Sequence, residues 1–128
     1  MWIANKNIDN WNEKRRKNAK MYDEKLKETS LTLPIIITES KSVYNMYVVQ
    51  SENREEMINK LKDKGISTGV YYPVPMHFQK VYKDLGYKAG DMPVAEYLSH
   101  RTFAIPIFPE LSMEQKEYIV DTIKDVNC

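Results

Sequence analysis

The sequence predicts an α+β domain, a small sheet of about three strands packed with helices and preceded by one long helix. Three observations carry this. Short β-branched and aromatic runs near 43–50, 66–72 and 103–108 alternate with segments of helical periodicity. Those helical segments carry recognisable start and stop residues. The chain, 128 residues with 42% hydrophobic and 29% charged content, is long enough to bury one core and too short for two.

Residues 7–28 contain neither Gly nor Pro, and Ile8, Trp11, Ala19, Tyr22 and Leu26 recur at helical spacings. The apolar stripe is thin and broken at Arg15, so this helix is expected to lean on a partner surface. A polar linker around Ile35–Ile37 leads to a strand from about Val43 to Gln50. In the helix over 52–65, Asn53 and Glu56 have capping-box spacing, Met57, Ile58 and Leu61 form the inward face, and Gly65 ends it. With a second strand over 66–72, residues 43–72 form a β-α-β unit, its strands parallel or, with another element between them, antiparallel.

Pro73 and Pro75 interrupt that strand. Phe78, Val81, Tyr82 and Leu85 then mark a short helix ended by Gly86. A further helix begins near Asp91, its expected cap, with Pro93 in the first turn and Ala95 and Leu98 supplying apolar contacts. The run 103–108 is a third strand, which Pro106 confines to an edge or a bulge. Ser112 caps the last helix with Gln115 completing its box, and Ile119, Ile123 and Val126 share one face.

Composition excludes several function classes. Nineteen basic and eighteen acidic residues leave a net charge of +1, so no global field attracts nucleic acid or an anionic membrane. The basic cluster Lys14–Lys17 reads as a solvated helix face. No apolar run approaches the ~20 residues of a membrane span, and the first residues lack the pattern of a signal peptide, which makes the expected location cytoplasmic. Cys128 is the one cysteine, ruling out an intrachain disulfide or a cysteine metal site. His77 and His100 have no metal-ligand spacing, and no metal is expected. Neither a nucleophile elbow nor a glycine-rich phosphate cradle is present. The lysines sit among polar residues, away from the apolar settings that activate an amine. From the residues alone, the chain has no catalytic constellation.

The segment 69–79, GVYYPVPMHFQ, stands apart. Tyr71, Tyr72 and His77 join an apolar body to a polar tip, suited to stacking on and hydrogen-bonding a small polar ligand. The competing reading makes alternate members of this strand end simple core residues.

Residues 69–115 together resemble the C-terminal segment of the DegT/DnrJ/EryC1/StrS family of sugar aminotransferases, and with the flanking segments the resemblance covers nearly the whole chain. The resemblance rests on Gly65-Ile66, Tyr71-Tyr72-Pro73, Pro75-Met76-His77-Phe78-Gln79, Gly86-Tyr87, Gly90, Pro93-Val94-Ala95-Glu96, and Ile105-Pro106 with Pro109. The upstream helix around Trp11 is similar to the family's connection between its large and small domains. Asn45 stands where many members carry histidine, and Ile105 where leucine is usual.

This resemblance implies a long interdomain helix over 1–30 and a small α+β domain over 31–128. It implies that the large domain, with the lysine that holds pyridoxal phosphate, is absent from this chain. The full-length enzyme would use pyridoxal phosphate to move an amino group, from glutamate, onto a nucleotide-linked keto sugar, and would be a homodimer. The chain alone would be non-catalytic and hold no cofactor. Tyr71, Tyr72 and His77 become the expected substrate-binding residues, with Tyr72 and His77 presented toward the cleft between domains. A stand-alone module using the same loop for a ligand or partner is the alternative.

Overall fold

The computed structural model describes residues 2–126, and Cys128, on which the cysteine argument turned, lies outside them. Helix α1, Trp2–Leu26, spans 25 residues, about 37 Å at the usual helical rise. Its expected stripe divides in two. Ala19, Tyr22 and Leu26 are fully buried, Trp11 is half-buried and Ile8 is exposed. Only the C-terminal half of the helix therefore meets the core.

The sheet has two full strands, β1 (Tyr47–Gln50) and β2 (Thr102–Ile105), paired antiparallel with Tyr47 opposite Ile105 and Val49 opposite Phe103. Single bridges extend it on both sides. Thr32 pairs with Gln50 beside β1, and Gly69 pairs with Ala104 beside β2. The segment through Gly69 thus runs in the direction of β1, with β2 between them. β1 is shorter than expected because Tyr44 has φ of 46°, outside extended geometry, with its amide donated to Ser42 Oγ at 3.1 Å. β2 stops before Pro106, which has no amide to donate.

The second strand expected, over 66–72, contracts to the Gly69 bridge. The Tyr71 ring folds back over Gly69 so closely that an added Cβ would meet it at 2.5 Å. Beyond it Pro73 cannot extend a ladder. Gly69 is needed for this close approach, and it weakens the strand it permits.

Helix α2 (Arg54–Asp63) buries Met57 and Leu61, as its periodicity predicts, and ends at Gly65 with φ of 75°. Its capping box does not form, for Asn53 makes no side-chain cap bond and Glu56 instead pairs with Lys60 at 2.8 Å. The short helix expected after the prolines is a pair of 3-10 turns, Met76–Phe78 and Lys80–Leu85, closed by Gly86 with φ of 76°. Helix α3 (Pro93–Arg101) begins at Pro93 as expected, but Asp91 does not cap it. Asp91 Oδ2 accepts the Lys88 amide at 2.7 Å instead. Of the two apolar residues expected to pack there, Leu98 is half-buried and Ala95 exposed.

Helix α4 (Met113–Val126) carries the box predicted for it: Gln115 donates to Ser112 Oγ at 3.1 Å and Ser112 donates back to Gln115 Oε1 at 3.0 Å. Its Ile119, Val120 and Ile123 close the core formed by Tyr22, Leu26, Tyr47, Val49, Leu61 and Phe103. Polar side chains tie α1 to the exit of β2. Tyr22 donates to the Pro106 carbonyl at 2.8 Å, and Asn18 donates to the Phe108 carbonyl at 2.9 Å. Tyr47 donates to Asp23 at 2.5 Å. Burial pushes the Tyr22 phenol far above its ordinary range, and burial followed by the Asp23 carboxylate does the same for Tyr47.

Candidate functional site

Between Ile66 and Ser99 no residue is buried. That stretch leaves β2's edge at Gly69, turns through Pro73 and Pro75, and returns as α3, so it forms a long excursion on one side of the domain. It exposes Tyr71, Tyr72, Val74, Met76, Val81 and Leu85, among other large apolar side chains.

The two tyrosines stand at the excursion's start, with ring centroids 5.9 Å apart and nearly perpendicular. They line a cleft of about 180 Å³ together with Met76, Ala95 and Thr102. Tyr72 is 68% exposed. Tyr71 also borders a second cleft, of about 270 Å³, shared with Asn45, Ser67 and Thr68. Of this strand end Val70 packs against the core, whereas both tyrosines project from the surface. Their phenols can donate to or accept from a polar ligand lying across them.

His77 sits apart from this cleft. Its side chain is only 6% exposed, with Phe78 at 4.1 Å and Tyr87 at 6.1 Å between ring centroids. Nε2 lies 3.1 Å from Glu96 Oε1. Hydrogen bonds hold the Glu96 carboxyl below the usual carboxylate range, the Gly90 amide contributing most and His77 less. An ionised carboxylate only accepts, so Nε2 carries the proton and Nδ1 is the nitrogen left for other partners. Of the three residues expected to bind substrate, the fold brings Tyr71 and Tyr72 together and turns His77 into the interior of its own loop. Glu96 escaped notice as a site residue, although its place just after Pro93, within six residues of Gly90, is visible in the sequence.

A more polar cavity, of about 370 Å³, lies on α2 and α3, with Gln50, Glu52, Lys60, Tyr97 and Arg101 in its wall. Its charges answer one another. Arg101 pairs with Glu52 at 3.2 Å and lies over the Tyr97 ring at 4.5 Å, while Lys60 pairs with Glu56.

The described residues do not fit pyridoxal phosphate. Holding it needs a lysine in an apolar, largely enclosed setting, and every lysine among the described residues is exposed or half-exposed. Among the described residues no cluster of His, Cys, Asp and Glu is arranged to hold a metal ion, and no helix is long and apolar enough to cross a membrane.

A family model described as the DegT/DnrJ/EryC1/StrS aminotransferase family matches residues 5–124. A pleiotropic regulatory protein of Geobacillus stearothermophilus is 39% identical over 92% of this chain and 32% of its own length. The dTDP-3-amino-3,6-dideoxy-alpha-D-galactopyranose transaminase of Aneurinibacillus thermoaerophilus is 29% identical over 91% of this chain and 31% of its own. The crystal structure of DesV from S. venezuelae, in complex with a ketimine intermediate, superposes with a TM-score of 0.93. It is 28% identical, and the match covers 96% of this chain and 33% of DesV. The chain thus spans about a third of the length of these relatives.

Proposed function

This chain belongs to the DegT/DnrJ/EryC1/StrS aminotransferase family, and we propose that it is the C-terminal part of a pyridoxal-phosphate enzyme that aminates a nucleotide-linked keto sugar with glutamate as donor. The cofactor supplies the electron sink for such a transfer when bound. Its lysine would come from the remaining two thirds of the enzyme, since no lysine described here suits the task. The enzyme would work as a cytoplasmic homodimer.

The observation that carries this reading is the exposed excursion 67–98. A self-sufficient domain seldom leaves so many aromatic and aliphatic side chains in water, and an apolar face of this kind is characteristic of an interaction surface. Covered by the rest of the enzyme, the excursion would place Tyr71 and Tyr72 at a boundary where a sugar nucleotide can lie. Pro73 and Pro75 stiffen the chain beside them, which lowers the ordering cost of binding. The tyrosines' role would be to bind and orient the sugar by stacking and hydrogen bonding.

The test joins this chain to the family's lysine-bearing portion and assays amino transfer from glutamate to keto sugar nucleotides. Transfer is expected from the joined protein and not from this chain, which should also retain no pyridoxal phosphate absorbance after dialysis. A cofactor band that survives dialysis of the chain alone, and is lost on substitution of one lysine, would refute the proposal.

A further inference from the structure

From 73 to 92 the excursion contributes nothing to the core, so the shape of this loop needs another cause. The Glu96 carboxylate supplies one. Oε1 accepts from His77 Nε2 at 3.1 Å, from the Gly90 amide at 2.9 Å and from the Met92 amide at 3.3 Å, and Oε2 accepts from Gly90 at 3.0 Å. One side chain on the rigid helix α3 therefore gathers three donors from two distant points of the loop. Met92 is the residue before α3 and has no capping side chain, so Glu96 takes over the capping of that helix end while reaching back to residue 77. The other hydrogen bonds seen within the loop are local: Lys88 to Asp91, Gln79 to the Val74 carbonyl, and those of the 3-10 turns.

We propose that Glu96 is the positioning residue of the 73–92 loop, a single carboxylate whose bonds to His77, Gly90 and Met92 fix the loop against α3. The titratable groups meeting there are Glu96 from α3 and His77 from the first 3-10 turn, with Tyr87 against the imidazole; Asp91, next in chain to Gly90, is engaged with the Lys88 amide. Charge-assisted bonds of this kind are stronger than neutral ones, so loss of the charge alone should loosen the loop. Because no residue from 73 to 92 belongs to the core or packs against it, loosening should leave the core intact. The inference concerns how the loop is held, and its failure would leave the aminotransferase reading untouched.

The experiment follows the Gly90 and Met92 amide resonances of this chain through an acid titration, in an Asp91→Asn background that removes the neighbouring carboxyl. Both amides should shift together, with a common midpoint below the usual carboxylate range. Adding Glu96→Gln should abolish that shared titration and the through-space contact between the His77 and Tyr87 rings. It should also lower hydrogen-exchange protection of the two amides by about tenfold or more, the cost of weakening bonds to a charged acceptor. The thermal midpoint should scarcely move. Amides that ignore the titration, keep titrating without Glu96, or lose protection only together with the whole core would each overturn the proposal.

Discussion

Two regions of this chain draw on the same kinds of side chain and put them to opposite use. Tyr22, Tyr47 and Phe103 lie in the core without measurable exposure or nearly so, whereas Tyr71, Tyr72 and Phe78 are exposed. In the core each phenol has a partner inside the domain, Pro106 for Tyr22 and Asp23 for Tyr47. In the excursion no second layer covers the rings. Residue type therefore says little about burial here; what separates the regions is whether an element of this chain packs on the other side.

The sharpest way to break the comparison is truncation. Phe103→Ala should destabilise the chain by about 3–5 kcal/mol in denaturant unfolding, the usual range for emptying a buried aromatic site. Tyr72→Ala should stay within about 0.5 kcal/mol, as surface changes do. Equal losses would mean that the excursion belongs to the cooperative core.

The phenols sharpen it further. Tyr22 has its ionisation pushed above the ordinary value of about 10, so its contribution is complete below that pH and declines as pH rises beyond it. Stability should fall by up to about 1.4 kcal/mol per pH unit above 10 from this group. Tyr22→Phe should remove this group's share of the slope and leave that of Tyr47, and Tyr72→Phe should leave the slope unchanged. Alkaline unfolding curves of the three proteins check this.

A smaller contrast sits at two helix starts with the same sequence pattern. Ser112→Ala should cost about 1 kcal/mol, because its hydroxyl accepts the Gln115 amide. Asn53→Ala should cost only a few tenths, since its side chain caps nothing. Thermal melts of both variants would separate them, and a matching loss would revive the Asn53 cap.

Those helix starts also mark how far the sequence could be read. Ser112 with Gln115 and Asn53 with Glu56 have identical spacing, yet only the first closes. Glu56 has Lys60 one turn ahead, and the Asn53 amide donates to Ser51 Oγ at 3.2 Å. Local spacing states what a residue can reach, and the competitors for it come from the fold. The strand at 66–72 failed for a related reason, because its β-branched and aromatic content was judged without the Tyr71 ring that folds onto Gly69. In the candidate site, both tyrosines are exposed, but His77 was legible only as a polar aromatic. Its direction depends on Glu96, nineteen residues later.

By itself, the sequence determined the α+β class, every α-helix near its observed place, the stops at Gly65 and Gly86, and the family. Each of these rests on neighbours in sequence: helical periodicity, a left-handed turn open to glycine, a proline without an amide, a motif of fixed order. The tertiary structure alone decided that α1 is half engaged, that β2 lies between β1 and the Gly69 segment, that Tyr71 and Tyr72 line a cleft, and that His77 turns inward. Those outcomes depend on which distant groups meet, and a contact between residues far apart leaves no period in the chain to read.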